Sequence, residues 1–194
     1  MNIGAIILSG GRGERFGFRE KGLIPFKGES LIARKVRQLA GGFTQIIVVT
    51  NMPDLYRELP CEVRLVTDDM AYQGPLRGLY CGLMAANADM NFVCAVDMPF
   101  ISYELLDCFR KSSAGFDAVV GKIDGRVEPL FGFYSKNLIP SIESVLSEPT
   151  VGLTGLIKMA RSNYIAEDVI KKFDPELSSF VNLNTTEDLK ICCL

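Results

Sequence analysis

Three runs in this chain are apolar on consecutive residues rather than on alternate ones: Ile3 to Leu8, Gln45 to Thr50 and Asn91 to Val96. A strand with one wet face alternates apolar and polar residues, whereas a strand covered on both faces has no such alternation. These runs therefore read as interior strands with helices packed on each side. Segments of helical spacing lie between them. Leu31 to Leu39 follows Ser30 as N-cap, Leu76 to Ala86 follows Gly74-Pro75, and Ser102 to Arg110 opens on its own capping serine. Further strands are predicted at Glu62 to Val66, Phe116 to Val120, Leu130 to Tyr134 and Phe180 to Leu183, the third of these as an antiparallel insertion. Helices are predicted at Asn137 to Leu146, Thr154 to Ala160 and Thr185 to Ile191. This order specifies an α/β fold: a three-layer, Rossmann-like, mostly parallel sheet with helices on both faces. The 194 residues suit one domain over 1–194. There is no internal repeat, low-complexity tract or linker.

Composition then removes whole classes of chemistry. The chain has no histidine, which excludes Ser-His and Cys-His catalysis, histidine metal sites and imidazole acid-base work. The 21 Lys and Arg are balanced by 23 Asp and Glu, so no excess of positive charge points to nucleic acid or anionic lipid. None of the six cysteines forms a C-x-x-C pair, which disfavours structural zinc. Cys81 and Cys94 sit in apolar runs and read as small core residues, in keeping with a reducing, cytoplasmic compartment. No run reaches the ~18 apolar residues of a membrane span, and the first residues do not read as a signal peptide.

One stretch carries the functional signal. Leu8-Ser9-Gly10-Gly11-Arg12-Gly13-Glu14-Arg15-Phe16-Gly17-Phe18-Arg19-Glu20-Lys21 directly follows the first strand. Ligands of open parallel sheets bind at the carboxyl ends of strands, glycines let backbone N–H groups approach oxygens, and four cations stand within ten residues. Such a loop suits a polyphosphate. It is not a P-loop, because Lys21 is preceded by Glu20 and followed by Gly22. Gly11-x-Gly13-x-x-x-Gly17 resembles a variant dinucleotide fingerprint, but Thr50-Asn51 stands where an acid for the ribose is needed. Asp97 ends the apolar run Phe92 to Val96 on the same sheet edge. A carboxylate there is costly unless paired or bound to a cation, which makes it the candidate Mg²⁺ ligand; Mg²⁺ needs only one or two carboxylates beside phosphate oxygens and water.

The pattern Leu-x-Gly-Gly-x-x-x-Arg-x-Gly-x-x-x-Lys resembles the signature of the nucleotidyltransferases, and within them the molybdenum cofactor guanylyltransferases. Further blocks extend the resemblance along nearly the whole chain: Gly74-Pro75-Leu76-Arg77-Gly78, Val96-Asp97-Met98-Pro99-Phe100, Glu128-Pro129-Leu130 and Asn182-Leu183-Asn184-Thr185-Thr186-Glu187-Asp188-Leu189. The chain departs from the usual pattern at Glu20, where the family has Asp, at Thr186, where it has Pro, and at Glu128, where it often has His. The resemblance implies catalytic Lys21, Arg15 and Asp97, with Asp97 on the metal. It implies nucleotide contacts from Leu8, Ser9, Gly10, Gly11, Gly13, Lys21, one of Asp68 and Asp69, Gly74 and Gly78. Asn182 and Asn184 are expected near the metal and the acceptor.

The implied reaction is transfer of GMP from GTP to the terminal phosphate of molybdenum-molybdopterin, with Mg²⁺ as cofactor and pyrophosphate as leaving group. Cofactor-delivery proteins or molybdoenzyme chaperones are the implied protein partners. The nucleophile is an anionic phosphate oxygen, so no general base is required, in keeping with a chain lacking histidine. On the residues alone, use of CTP or another phosphorylated acceptor, a nicotinamide-dependent reductase and a non-catalytic nucleotide-binding regulator stay open.

Overall fold

The consecutive apolar runs do form interior strands. A computed structural model describes residues 2–10, 20–60, 62–68, 74–147, 151–185 and 187–189. Strands β1 (Ile3–Leu8), β4 (Gln45–Thr50), β5 (Val63–Thr67), β6 (Met90–Ala95), β7 (Ala118–Ile123), β8 (Arg126–Ser135) and β9 (Ser162–Ala166) build one sheet in the order β5-β4-β1-β6-β8-β7-β9. β1 pairs in parallel with β4 and β6, β4 with β5, and β7 with β9. Only β8 is antiparallel to its neighbours, as the sequence suggested for Leu130 to Tyr134. β2 (Pro25–Phe26) and β3 (Glu29–Ser30) form a separate hairpin. Lys27 and Gly28 take positive φ at its two-residue turn, the conformation that matches strand twist.

Helices α1 (Leu31–Leu39), α3 (Tyr103–Lys111) and α6 (Glu167–Ile170) contribute to one core cluster. α2 (Gly74–Ala85), α4 (Ile139–Leu146) and α5 (Leu153–Met159) contribute to the other. The strands alternate between the two: Ile3, Ala5 and Ile7 belong to the first and Ile6 to the second. Ser30 and Ser102 cap α1 and α3, each accepting the backbone N–H three residues on. No helix of the described residues is long and apolar enough to cross a membrane.

The apolar run Phe180 to Leu183 is not a strand. Ser178–Phe180 form a 3-10 turn, and residues 181–184 continue without joining the sheet. Apolar periodicity reports burial, and here Leu183 is buried while its N–H donates to the Asp97 carbonyl at 2.8 Å instead of to a ladder. β9 was not expected, because Ser162-Asn163-Tyr164 carries little apolar signal. The helix predicted over Thr185 to Ile191 is present at residues 187–189, with Thr186 and Ile191 outside the described residues. Its cap is reciprocal: Thr185 Oγ1 accepts from the Asp188 N–H at 3.1 Å, and Asp188 accepts from the N–H groups of Asn184 and Thr185, both at 2.8 Å.

The chain order places the functional edge. From β1 it moves outward through β4 and β5, then returns to the other side of β1 as β6. Such a reversal leaves a crevice at the carboxyl ends of the strands.

Candidate nucleotidyl-transfer site

That crevice is a cleft of about 510 Å³. Leu8, Val49 and Ala95, from the ends of β1, β4 and β6, lie along it with Gly10. Gly74 and Pro75 bring the start of α2 to its wall, with Gly78 one turn on. Gly74 has φ +76°, a backbone that favours glycine. The positive end of the 12-residue helix therefore opens on the cleft, where anions are favoured.

One corner gathers charge. Lys21 stands at the start of a 3-10 turn, Lys21–Leu23. Its Nζ donates to Asp97 Oδ2 at 2.7 Å and to Asn184 Oδ1 at 3.4 Å. Asp97 directly follows β6, and its carbonyl accepts the Leu183 N–H. Three residues distant in sequence therefore meet at one point. The pair is mostly withdrawn from solvent, which strengthens a charge-assisted bond. Asn182 also lines the cleft, its Nδ2 donating to the Phe180 carbonyl at 3.3 Å.

Elsewhere the lining is more selective in character. Asn51, just beyond β4, lines the cleft with a buried Oδ1 that has no hydrogen-bond partner among the described residues. Asp68, just beyond β5, lies 3.5 Å from Arg77 Nε. Sequence reasoning does not single out Asn51 as a lining residue, although its position at a strand end is visible there.

The Ser9 side chain is held by its hydroxyl. It is 1% exposed, and its hydroxyl lies 2.7 Å from the Tyr56 hydroxyl, which in turn donates to Glu20 at 2.6 Å. Its side chain thus supports the loop base instead of reaching into the cleft. Burial raises the Glu20 carboxyl, with the bonds from Tyr56 and Ser9 opposing it, and burial together with Glu20 raises the Tyr56 phenol. A side chain at Gly22 would meet Ser9 Oγ at 2.7 Å, so only glycine fits beside this network. Gly11, Gly13, Arg15 and Asp69 lie outside the described residues. Glu128 is partly buried, which raises its carboxyl, while Arg126 lowers it. Cys94 is fully buried and its thiol is pushed up to about 11, consistent with a packing role.

A family model described as the MobA-like NTP transferase domain matches residues 5–164. The chain belongs to that family. It is a nucleotidyltransferase on an α/β sheet. A probable molybdenum cofactor guanylyltransferase of Methanosarcina mazei is 34% identical, over 96% of this chain and 88% of the relative. A molybdenum cofactor guanylyltransferase of Syntrophotalea carbinolica is 36% identical, over 96% and 88%. The crystal structure of molybdopterin-guanine dinucleotide biosynthesis protein A from Archaeoglobus fulgidus superposes with a TM-score of 0.83 at 27% identity, over 97% of this chain and 96% of that one.

Nucleotidyl transfer of this type generally takes a divalent metal. Among the described residues no three acidic or cysteine side chains gather. The donors at the charged corner are a carboxylate, Asp97, and an amide oxygen, on Asn184. Such hard oxygen donors fit an ion that completes its shell with phosphate oxygens and water.

Proposed function

We propose that this chain, as a single domain over 1–194, transfers GMP from GTP to the terminal phosphate of molybdenum-molybdopterin. The observation that carries the reading is the meeting of Lys21, Asp97 and Asn184 in the same cleft as Asn51, whose amide oxygen has no partner among the described residues. An acceptor phosphate oxygen forms a bond to the α-phosphorus of GTP. The bond from that phosphorus to the bridging oxygen breaks, and pyrophosphate leaves with the electron pair.

The protein's work is positioning and charge. Lys21 exchanges Asp97 for triphosphate oxygens and neutralises the charge that collects on pyrophosphate. The Gly10 backbone and the start of α2 hold phosphate oxygens. Arg15 adds a second cation. Mg²⁺ held by Asp97 and Asn184 would supply positive charge to the phosphates. Guanine presents N–H donors at N1 and N2, which Asn51 Oδ1 and a carboxylate of Asp68 or Asp69 match. Asn182 and Asn184 stand near the acceptor. A cytoplasmic enzyme of this kind would exchange its product with cofactor-delivery proteins or molybdoenzyme chaperones.

The test is pyrophosphate release from the purified protein with Mg²⁺, molybdenum-molybdopterin and equal GTP, CTP and ATP, with the dinucleotide identified by mass spectrometry. GTP is expected to be consumed first. Preference for CTP overturns the guanylyl assignment. Binding without pyrophosphate release overturns nucleotidyl transfer by this chain.

A further inference from the structure

Helix α1 carries its buried residues at Leu31, Ile32, Lys35, Val36 and Leu39. Lys35 therefore occupies a core position in the apolar stripe. It is 1% exposed, and no other lysine among the described residues is buried. A leucine there would bury more easily, since a buried amine needs a hydrogen-bond partner. Its partner is specific: Nζ donates to the Met98 carbonyl. No carboxylate among the described residues is within ion-pair distance of it.

Two neighbours on α1 act on the next peptide. Arg34 Nε donates to the Pro99 carbonyl at 3.0 Å, and Gln38 Nε2 donates to the same oxygen at 3.2 Å. Three side chains of one helix thus hold two successive carbonyls immediately after Asp97. Beside them, the Val96 N–H donates to Leu8 and the Asp97 carbonyl receives Leu183. The turn that bears Asp97 is fixed before and after the carboxylate.

We propose that Lys35 is a positioning residue for Asp97, holding the Asp97–Met98 turn from the buried side so that the carboxylate is presented to the cleft. The contact works in either protonation state of the amine, because both forms can donate. The proposal rests on the role of Asp97 given under Proposed function. It adds to that reading a residue whose contact is with the turn, not with the nucleotide.

The test is Lys35→Met, which keeps a straight chain of similar volume and removes the donor. The variant should fold, with a melting temperature no lower than that of the wild type. Turnover with GTP should fall about 10–100-fold, the usual range for loss of a residue that orients a metal ligand, with the GTP KM changed less than about threefold. Manganese binding, read by electron paramagnetic resonance without acceptor, should weaken by about tenfold. In an Asp97→Asn background the same substitution should cost no further activity or manganese affinity, because partners that act through one group are not additive.

A folded Lys35→Met protein with wild-type turnover and manganese affinity overturns the proposal. So does an equal loss in the Asp97→Asn background. If neither Lys35→Met nor Lys35→Leu folds, Lys35 is a packing residue and the proposal also fails. A wild-type protein that releases no pyrophosphate from GTP counts against the reaction assigned above, while the manganese measurement still judges Lys35.

Discussion

The charged corner and the Asn51 side of the cleft are organised in opposite ways. At the corner, Lys21, Asp97 and Asn184 satisfy one another at 2.7 and 3.4 Å. On the other side, the buried amide oxygen of Asn51 has no partner among the described residues. A set of groups that already answer one another can be reorganised by a highly charged ligand and returned to rest afterwards. An acceptor with no protein partner is available to a ligand that brings a donor to it. The first arrangement suits the step common to all nucleotides, and the second suits the choice among them.

Substitutions should separate the two. Asp97→Asn, which keeps the shape and removes the charge, should lower turnover by about 10³-fold while the fold persists. Steady-state rates with a melting curve would check it, and near-wild-type turnover would remove Asp97 from the site. Lys21→Ala should cost ~3–4 kcal/mol of transition-state stabilisation, a few hundredfold in rate, for every triphosphate tested. A loss confined to GTP would make Lys21 a base-selecting residue and erase the contrast.

Asn51→Leu should leave the phosphate chemistry intact and reduce the GTP preference by roughly 1–3 kcal/mol, read in a competition assay between GTP and CTP. Gly10→Ala sharpens the same point. A Cβ there meets nothing within 4 Å among the described residues, and Gly10 lines the cleft. It should hurt GTP more than CTP.

The smallest effect concerns Glu20. Burial raises its carboxyl, so the folded chain holds this proton to higher pH than the unfolded chain does. Stability contributed by that protonation is present at low pH and lost as pH rises through the folded value. Glu20→Gln should flatten the weak-acid part of the stability profile, with little change in selectivity. Denaturant unfolding across that range would measure it, and an unaltered slope would mean that Glu20 does not set it.

What the sequence disclosed follows from how local each signal was. Ser30 and Ser102 announced their helices because a capping hydroxyl and the N–H that donates to it lie three residues apart. Asp97 was legible because it closely follows a strand, and Lys21 because it belongs to the glycine-rich motif that follows the first strand. Lys35 was not singled out, since a lysine at a helical position looks the same whether its amine meets water or a carbonyl 63 residues away. The Ser9–Tyr56–Glu20 network was hidden for a similar reason, because Tyr56 lies in a segment with no motif of its own. Phe180 to Leu183 misled because an apolar run reports burial, and the partner that keeps it out of the sheet is the distant Asp97 carbonyl. The cleft itself was legible as an edge, through strand order, but not in its depth or in the unpartnered oxygen of Asn51.

The bond from Lys21 to Asn184 spans 163 residues, and this sets a clock on the completion of the corner. A ribosome adding about 5–20 residues per second needs roughly ten to thirty seconds to cover that distance. During the interval the first strand and its glycine loop have been made, yet the segment that completes the corner has not. A nascent chain thus lacks a complete corner through most of its synthesis. The corner is completed by the docking of Leu183 and Asn184, one of the longest-range contacts of the fold and one that loop-closure entropy delays.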